Sequence, residues 1–416
     1  MLGWEFPPII NGGLGIACHD LSSAMSELAD ITMLIPKSSP GFRMKNINLI
    51  GLNTVDLSTL DAHFGSSRQN LPFALHTIPV DLNPYYSEKE ELPGSGTFHN
   101  KQAPLRSFQI DSLYGGDVVG KVLQFADISL ALASAMDFDI IHAHDWMTMV
   151  AGIRIKQRTG KPLAVHIHSL EVDRSGEDSR GWVYQLEKWG MEYADLLLPV
   201  SHFTASNIEQ HYGISKEKMA VVHNGCNPVS VFRSDRKFRE KTVLFVGRLT
   251  RQKGPEKFLE IAGRVLEKDP DVRFVMAGVG DYFRRLIEES SYRQIGNRFH
   301  LTGFLNAEKL HYLFSISDVY CMPSLSEPFG LSAVEAAQFG IPCVISRQSG
   351  VAEVLGGSLK FDHWDVNKAS DCILGLLHDP VLRDRVVSDA SRDLNSISWK
   401  LSASRVLEAY ASRNFC

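Results

Sequence analysis

Glu327 and Glu335 stand eight residues apart in "SLSEPFGLSAVEAAQFGIPCV", residues 324–344, on either side of a Pro-Phe-Gly turn. Pro328 suits the first turn of a helix, where a missing N–H costs nothing, and Gly340 suits its stop. The N–H groups of Phe329, Gly330 and Leu331 would then face an anion at a helix start. A carboxylate beside a phosphate is repelled unless it turns to hydroxyl groups. Glu335 is so placed to accept from a ribose and Glu327 from a sugar ring. The plainer alternative makes Glu327 a helix cap and Glu335 an acid on a solvated face. A nearby cation loop favours the first reading, and "FVGRLTRQKGPE", residues 245–256, offers one. There Arg248 presents a rigid fork to phosphate oxygens and Lys253 a mobile point charge. Gly254 and Pro255 then open a helix, and Arg251 fits a solvated charge.

Two more constellations carry chemistry. "NGGLG", residues 11–15, precedes a helical run over about residues 16–28. Gly12 and Gly13 allow close backbone approach to an anion at a helix N-terminus, or form an ordinary strand-to-helix turn. "HAHDW" (His142, His144, Asp145) and "HIHS" (His166, His168, Ser169) each end a strand pattern. Alternate strand residues share a face, so each pair could ligate a metal. No carboxylate triad with ligand spacing accompanies them, and hydrogen bonds to backbone or a neighbouring loop are the expected use. No metal is therefore expected. His168 is left as a candidate for direct contact with a sugar.

The elements that must position these groups follow from size and pattern. At 416 residues the chain exceeds one ordinary core, and two domains of roughly 200 residues each are expected. Apolar residues at 44% and charged residues at 22% fit a globular, water-soluble class. A net charge of −5 gives no reason to expect nucleic acid. No apolar run approaches the ~20 residues of a membrane span, and "MLGWEFPP" lacks the pattern of a signal peptide. Cys18, Cys226, Cys321, Cys343, Cys372 and Cys416 are scattered, as reduced thiols of a cytoplasmic protein would be.

Short β-branched runs alternate with helical patterns, which is α/β architecture with parallel sheets. In the first half the strands are "ITMLIPK", "ALHTIPV", "IIHAHDW", "LAVHIHS", "LLLPVS" and "MAVVHNG". Helical stretches fall over residues 118–136 and 201–212. A polar, basic connector, "PVSVFRSDRKFREK", breaks the pattern before "TVLFVGRL", "RFVMAGVG", "FHLTGF", "VYCMPS" and "PCVISR". The expectation is two doubly wound, Rossmann-like domains, 1–228 and 242–395, joined by a linker at 229–241. Ligands of such sheets bind outside the carboxyl ends of the strands, and clefts between domains are favoured sites. Residues 38–113 hold a long polar insertion without an assignable element, open to reading as a flap or an acceptor surface. The first strand is reduced to Met1 and Leu2, as if the start were truncated or assigned a few residues late.

Together these residues resemble the retaining glycosyltransferases of family 4, whose GT-B fold sets two Rossmann-like domains across a cleft. The resemblance runs through nearly the whole chain. Its most specific element is the pair Glu327 and Glu335 around "PFGL". "GWEFPP…GGLG", "HAHDW", "HSLEVDRSG", "VSHFT", "VHNG" and "VGRLTRQKG" look more narrowly like bacterial and archaeal glycogen synthase-like members. The resemblance implies a donor that is a nucleotide-diphosphate sugar, ADP- or UDP-glucose foremost, a carbohydrate acceptor and no cofactor. It implies that Gly12 and Gly13 close over the donor phosphates and that Arg248 and Lys253 grip the diphosphate. Glu327 and His168 would meet the transferred sugar and Glu335 the ribose. Gly303, Phe304 and Leu305 would lie against the nucleobase, beside Phe329, Gly330 and Leu331 at the phosphates. Residues 396–416 would cross back to the first domain, the acceptor side. Ser169 stands where many starch and glycogen synthases have asparagine.

The reaction so implied moves a hexosyl group, glucose foremost, with retention, in the manner of α-glucan synthesis. Other readings share parts of the pattern. A nucleotide-sugar epimerase has the same cleft and phosphate grip, and another acceptor, such as a cell-surface polysaccharide, suits the same donor site. A metal hydrolase would build on the HxH pairs. A non-catalytic binding module need not retain Arg248, Lys253, Glu327 and Glu335 together. The oligomeric state leaves no mark in the sequence.

Overall fold

A computed structural model of the chain describes residues 1–10, 12–39, 41–56, 113, 117–229 and 238–415. In the first half, β1 (Ile31–Ile35) pairs in parallel with β2 (Ile47–Gly51). Further along, β3 (Ile141–His144), β4 (Leu163–Ile167) and β5 (Leu196–Pro199) pair in parallel with one another. The gap between β1 and β3 is filled by the first three residues. Leu2 bridges Leu34 on one side and Ala143 on the other, both in parallel. The Leu2 N–H donates to the His142 carbonyl at 2.8 Å and the Gly3 N–H to the Leu34 carbonyl at 3.0 Å. Short as it is, this stub holds the central place that a first strand requires. Counted with it, the spatial order is 3-2-1-4-5-6, the dinucleotide-binding order, with a switch point between the stub and β3.

The second sheet repeats that order. It comprises β6 (Lys241–Val246), β7 (Val272–Ala277), β8 (Phe299–Gly303), β9 (Val319–Met322), β10 (Cys343–Ser346) and β11 (Leu359–Phe361). Side by side they run β11-β10-β9-β6-β7-β8, all parallel, so the switch point lies between β6 and β9. β5, β9 and β10 are buried along their whole length, as strands covered on both faces must be. Helix Pro255–Lys268 buries Phe258, Leu259, Ile261, Ala262 and Val265, the 3.6-residue stripe visible in its sequence.

Three expectations about strands need correction. "MAVVHNG" is not a full strand: Met219 bridges Leu197, and the N–H groups of Ala220 and Val222 reach β5 at 2.9 and 3.0 Å. Beyond Val222 the chain leaves the sheet, and Gly225 packs so closely on Trp399 that a Cβ would lie 2.2 Å from its backbone nitrogen. β2 lies inside the segment read as a polar insertion, and β11 is too short to show a period. "ALHTIPV" and most of the connector fall outside the described residues.

Helix Trp399–Ala411 packs on helix Gly13–Met25. Its Trp399, Ala403, Val406 and Tyr410 share a core with Ala17, Leu21, Met33 and Leu198 of the first domain. No helix among the described residues is long and apolar enough to cross a membrane.

Candidate active site

The loop after β6 and the loop after β9 flank the second switch point. Gly254 has φ 66°, and a Cβ there would lie 2.2 Å from the Pro323 carbonyl oxygen, so the two loops touch backbone to backbone. That contact brings Lys253 to Glu327, Nζ to Oε2 at 2.5 Å, and Ser324 Oγ donates to the same oxygen at 3.3 Å. Glu327 is buried and its Oε2 is committed to these partners; the helix that follows takes no side-chain cap. Glu327 is therefore not a helix cap.

The helix itself is Leu331–Gln338, and Pro328 is not in its first turn as the sequence suggested. The carbonyl oxygens explain why. Pro328 accepts from the Ser201 hydroxyl at 2.6 Å and Phe329 from the Val351 N–H at 2.7 Å, which holds 328–329 out of helical geometry. Gly330, at φ 112°, makes the turn. The helix's unpaired N–H groups thus begin at Leu331, while Phe329 and Gly330 precede them. Glu335 lies just over one turn inside and lines the cavity rather than a solvated face; burial pushes its carboxyl up to about 7.

Across the cleft, Gly12 caps helix Gly13–Met25, whose first residue is Gly13 rather than Ile16. A Cβ on Gly13 would lie 3.8 Å from Leu331 Cδ1, so the two helix starts face one another. At the other side of the first switch point Asp145 adopts φ 57°. Its carboxylate accepts from the N–H of His168 at 2.7 Å, and burial pushes its pKa up to about 7. Arg174 donates to Ser169 Oγ at 2.6 Å and to Glu187 at 2.6 Å, and Glu187 also accepts from Tyr212. Between the domains, Ser326 Oγ donates to Asp173 at 2.5 Å, and Glu353 accepts from the N–H groups of His202 and Phe203 at 2.9 and 2.7 Å.

The four histidines form a two-layer ladder. His144 Nδ1 lies 2.9 Å from His168 Nε2, and His166 Nδ1 lies 3.3 Å from His142 Nε2. Tyr410, from the last helix, hydrogen-bonds His142 Nδ1. His142 and His144 stack at 4.5 Å, as do His166 and His168. The trio His142, His144 and His166 is close enough to suggest an ion, but its ring planes lie within 15° to 28° of parallel. Imidazole lone pairs lie in the ring plane, so near-parallel rings do not converge on one tetrahedral centre. In a second cluster, with His202 and His223, Glu353 is already occupied by two N–H groups and by His223 at 2.8 Å.

One cavity of about 310 Å³ is lined by Gly12, Gly13, His168, Arg248, Lys253, Glu327, Phe329, Gly330, Leu331 and Glu335. Gly303, Phe304 and Leu305 are not among its lining residues; they lie at the end of β8, the far edge strand, with Phe304 exposed. Asp145, Arg174, Gln252 and Asn224 also line it. The sequence reading gave none of these four a site role, although Asp145 was visible at a strand end.

Comparison with known proteins agrees with this architecture. A model of the family described as Glycosyltransferase Family 4 matches residues 94–229, and one described as Glycosyl transferases group 1 matches residues 230–393. An uncharacterised glycosyltransferase of Methanocaldococcus jannaschii is 26% identical over 99% of this chain and 97% of its own length. Glycogen synthase of Mycobacterium tuberculosis is 25% identical over 99% of this chain and 93% of its own. The crystal structure of Anabaena HepE in complex with UDP and glucose superimposes with a TM-score of 0.68 at 16% identity, covering 99% of this chain and 98% of that one. With both halves matched in order, over well more than half its length, the chain belongs to the family 4 glycosyltransferases of GT-B fold, enzymes that transfer a sugar.

Proposed function

We propose that the protein moves a hexosyl group, glucose foremost, from a nucleotide-diphosphate sugar to a carbohydrate hydroxyl, with retention at the anomeric carbon. The observation that carries this is the meeting of Arg248, Lys253 and the helix start at Leu331 with Glu327 and Glu335 around one cavity. Breaking the donor bond leaves positive charge on the anomeric carbon and negative charge on the departing diphosphate. Two fixed cations and a helix N-terminus stabilise that negative charge without reorganising. Glu335 accepts from the ribose hydroxyls and Glu327 from the sugar. His168 faces the sugar from the first domain, and Gly12 and Gly13 close over the phosphates. The base, on this reading, extends beyond the cavity toward Gly303, Phe304 and Leu305 at the end of β8.

On this reading Glu335 is committed to ribose, and no protein carboxylate serves as the nucleophile. The departing phosphate itself, on this reading, takes the proton of the acceptor hydroxyl. The likeness to a glycogen synthase favours a glucan acceptor, and the structure of HepE with UDP and glucose favours a nucleotide donor of that class. The test is a panel of ADP-, UDP- and GDP-hexoses, with and without maltooligosaccharides, read by nucleotide release and by the anomeric proton of the product. An α-linked product whose formation needs the acceptor supports the proposal. A β-linked product from these α-linked donors, or isomerised donor without nucleotide release, overturns it.

A further inference from the structure

We propose that His144 is a positioning residue for His168, binding its Nε2 so that the ring is left with one fixed, unpartnered nitrogen, Nδ1, beside the cavity. The inference rests on the reading that His168 meets the transferred sugar. Four observations support it. His144 Nδ1 and His168 Nε2 are 2.9 Å apart with ring centroids at 5.2 Å, the separation of two imidazoles that meet edge to edge. His168 Nδ1 is buried without a hydrogen-bond partner, although its residue lines the cavity. The backbone on either side is fixed, since the N–H groups of His168 and Ser169 both donate to Asp145 Oδ1, at 2.7 and 3.4 Å. Beneath the pair, His166 stacks on His168 and His142 on His144, each at 4.5 Å, so neither ring has room to turn over.

The chemistry follows from proton counting. A nitrogen-to-nitrogen hydrogen bond holds one proton, and a neutral imidazole has one to give. Whichever ring supplies the shared proton, the role of His168 Nδ1 is thereby decided: donor if His144 supplies it, acceptor if His168 does. Burial holds His144 well below the usual histidine range and His168 down at about 3, so both rings stay neutral and the pair carries no charge toward the sugar. A lone imidazole exchanges its two tautomers freely; a paired one is biased to one of them.

The first measurement needs no substitution. In protein labelled with nitrogen-15 at histidine, the ring nitrogens of His168 are assigned by their loss in His168→Gln. The expected result is one protonated and one unprotonated nitrogen, with the shared hydrogen bond visible as a coupling to His144. Averaged nitrogens, or a charged ring at neutral pH, overturn the proposal. The second measurement is kinetic. His144→Leu is expected to lower kcat by about tenfold to a hundredfold with donor KM within about twofold, a positioning loss. His144→Asn, whose amide falls where Nδ1 was, is expected to restore most of it. Wild-type turnover in the Leu variant, or equal losses in Leu and Asn variants of unchanged melting temperature, overturn it. Full activity in His168→Ala would instead remove the sugar-contact reading and leave the nitrogen spectrum standing.

Discussion

Lys253 and Glu327, 74 residues apart in the chain, meet at 2.5 Å where the loops after β6 and β9 touch. An ammonium has three N–H donors, so Lys253 can hold Glu327 and still reach a phosphate oxygen. The acid in turn holds the cation at the head of the cavity. On the proposed mechanism, Lys253→Ala or Arg248→Ala lowers turnover by about 10²–10³, the scale of losing one transition-state donor. Steady-state kcat at saturating donor checks this. Unchanged turnover in both variants would remove the diphosphate role.

Glu335 supplies a pH dependence. Its folded pKa is raised by burial from 4.5 to about 7, so the folded protein holds a proton there that the unfolded chain has already released. Its contribution to stability is full below 4.5 and falls as pH rises through about 7. Accepting from two ribose hydroxyls, one on each oxygen, needs the ionised form. The donor KM is therefore expected to rise below pH 7, by up to about tenfold per pH unit. Glu335→Gln should flatten that profile; a flat profile in the wild type would make Glu335 a bystander.

Gly254 joins the two loops that make the site. Alanine there meets both a φ of 66° and the Pro323 carbonyl oxygen at 2.2 Å. The left-handed backbone alone costs a non-glycine about 1–2 kcal/mol, and the clash must push the loops apart. Gly254→Ala is expected to lower the melting temperature and to lose turnover together. Calorimetry beside a donor-saturated assay separates this from a purely catalytic loss.

Tyr410 ties the last helix to His142 in the lower layer of the ladder. Tyr410→Phe keeps the ring and strands a buried imidazole nitrogen, at a cost of about 1–2 kcal/mol. Amide hydrogen exchange over residues 399–411 should quicken by about 5- to 30-fold. Exchange at the wild-type rate would show that packing on helix Gly13–Met25 alone holds the element.

Legibility followed range. Cation loop, glycine turn and strand runs are local patterns, and each landed at a strand end where the sheet order puts ligands. The union of Lys253 with Glu327 was invisible, because it depends on two loops that only the strand order β6-β9 makes neighbours. The HxH spacing showed that His142 and His144 share a face, but not that His144 would meet His168. That meeting needs the register in which His144 lies opposite His166. Pro328 misled because a proline suits a first helical turn and an extended crossing equally. The decision lay with Ser201, 127 residues away, which takes its carbonyl oxygen.

The stub at residues 1–3 and the helix ending at Ala411 lie in the same half of the molecule. Synthesis runs through the whole β6–β11 unit between the first of these and the second. The later half can therefore mature while the earlier one waits, open along its Gly13–Met25 flank, for its closing piece. A chain interrupted after residue 395 is expected to yield a finished donor half beside an unsealed acceptor half. Its proteolytic cuts would fall first near residues 13–25.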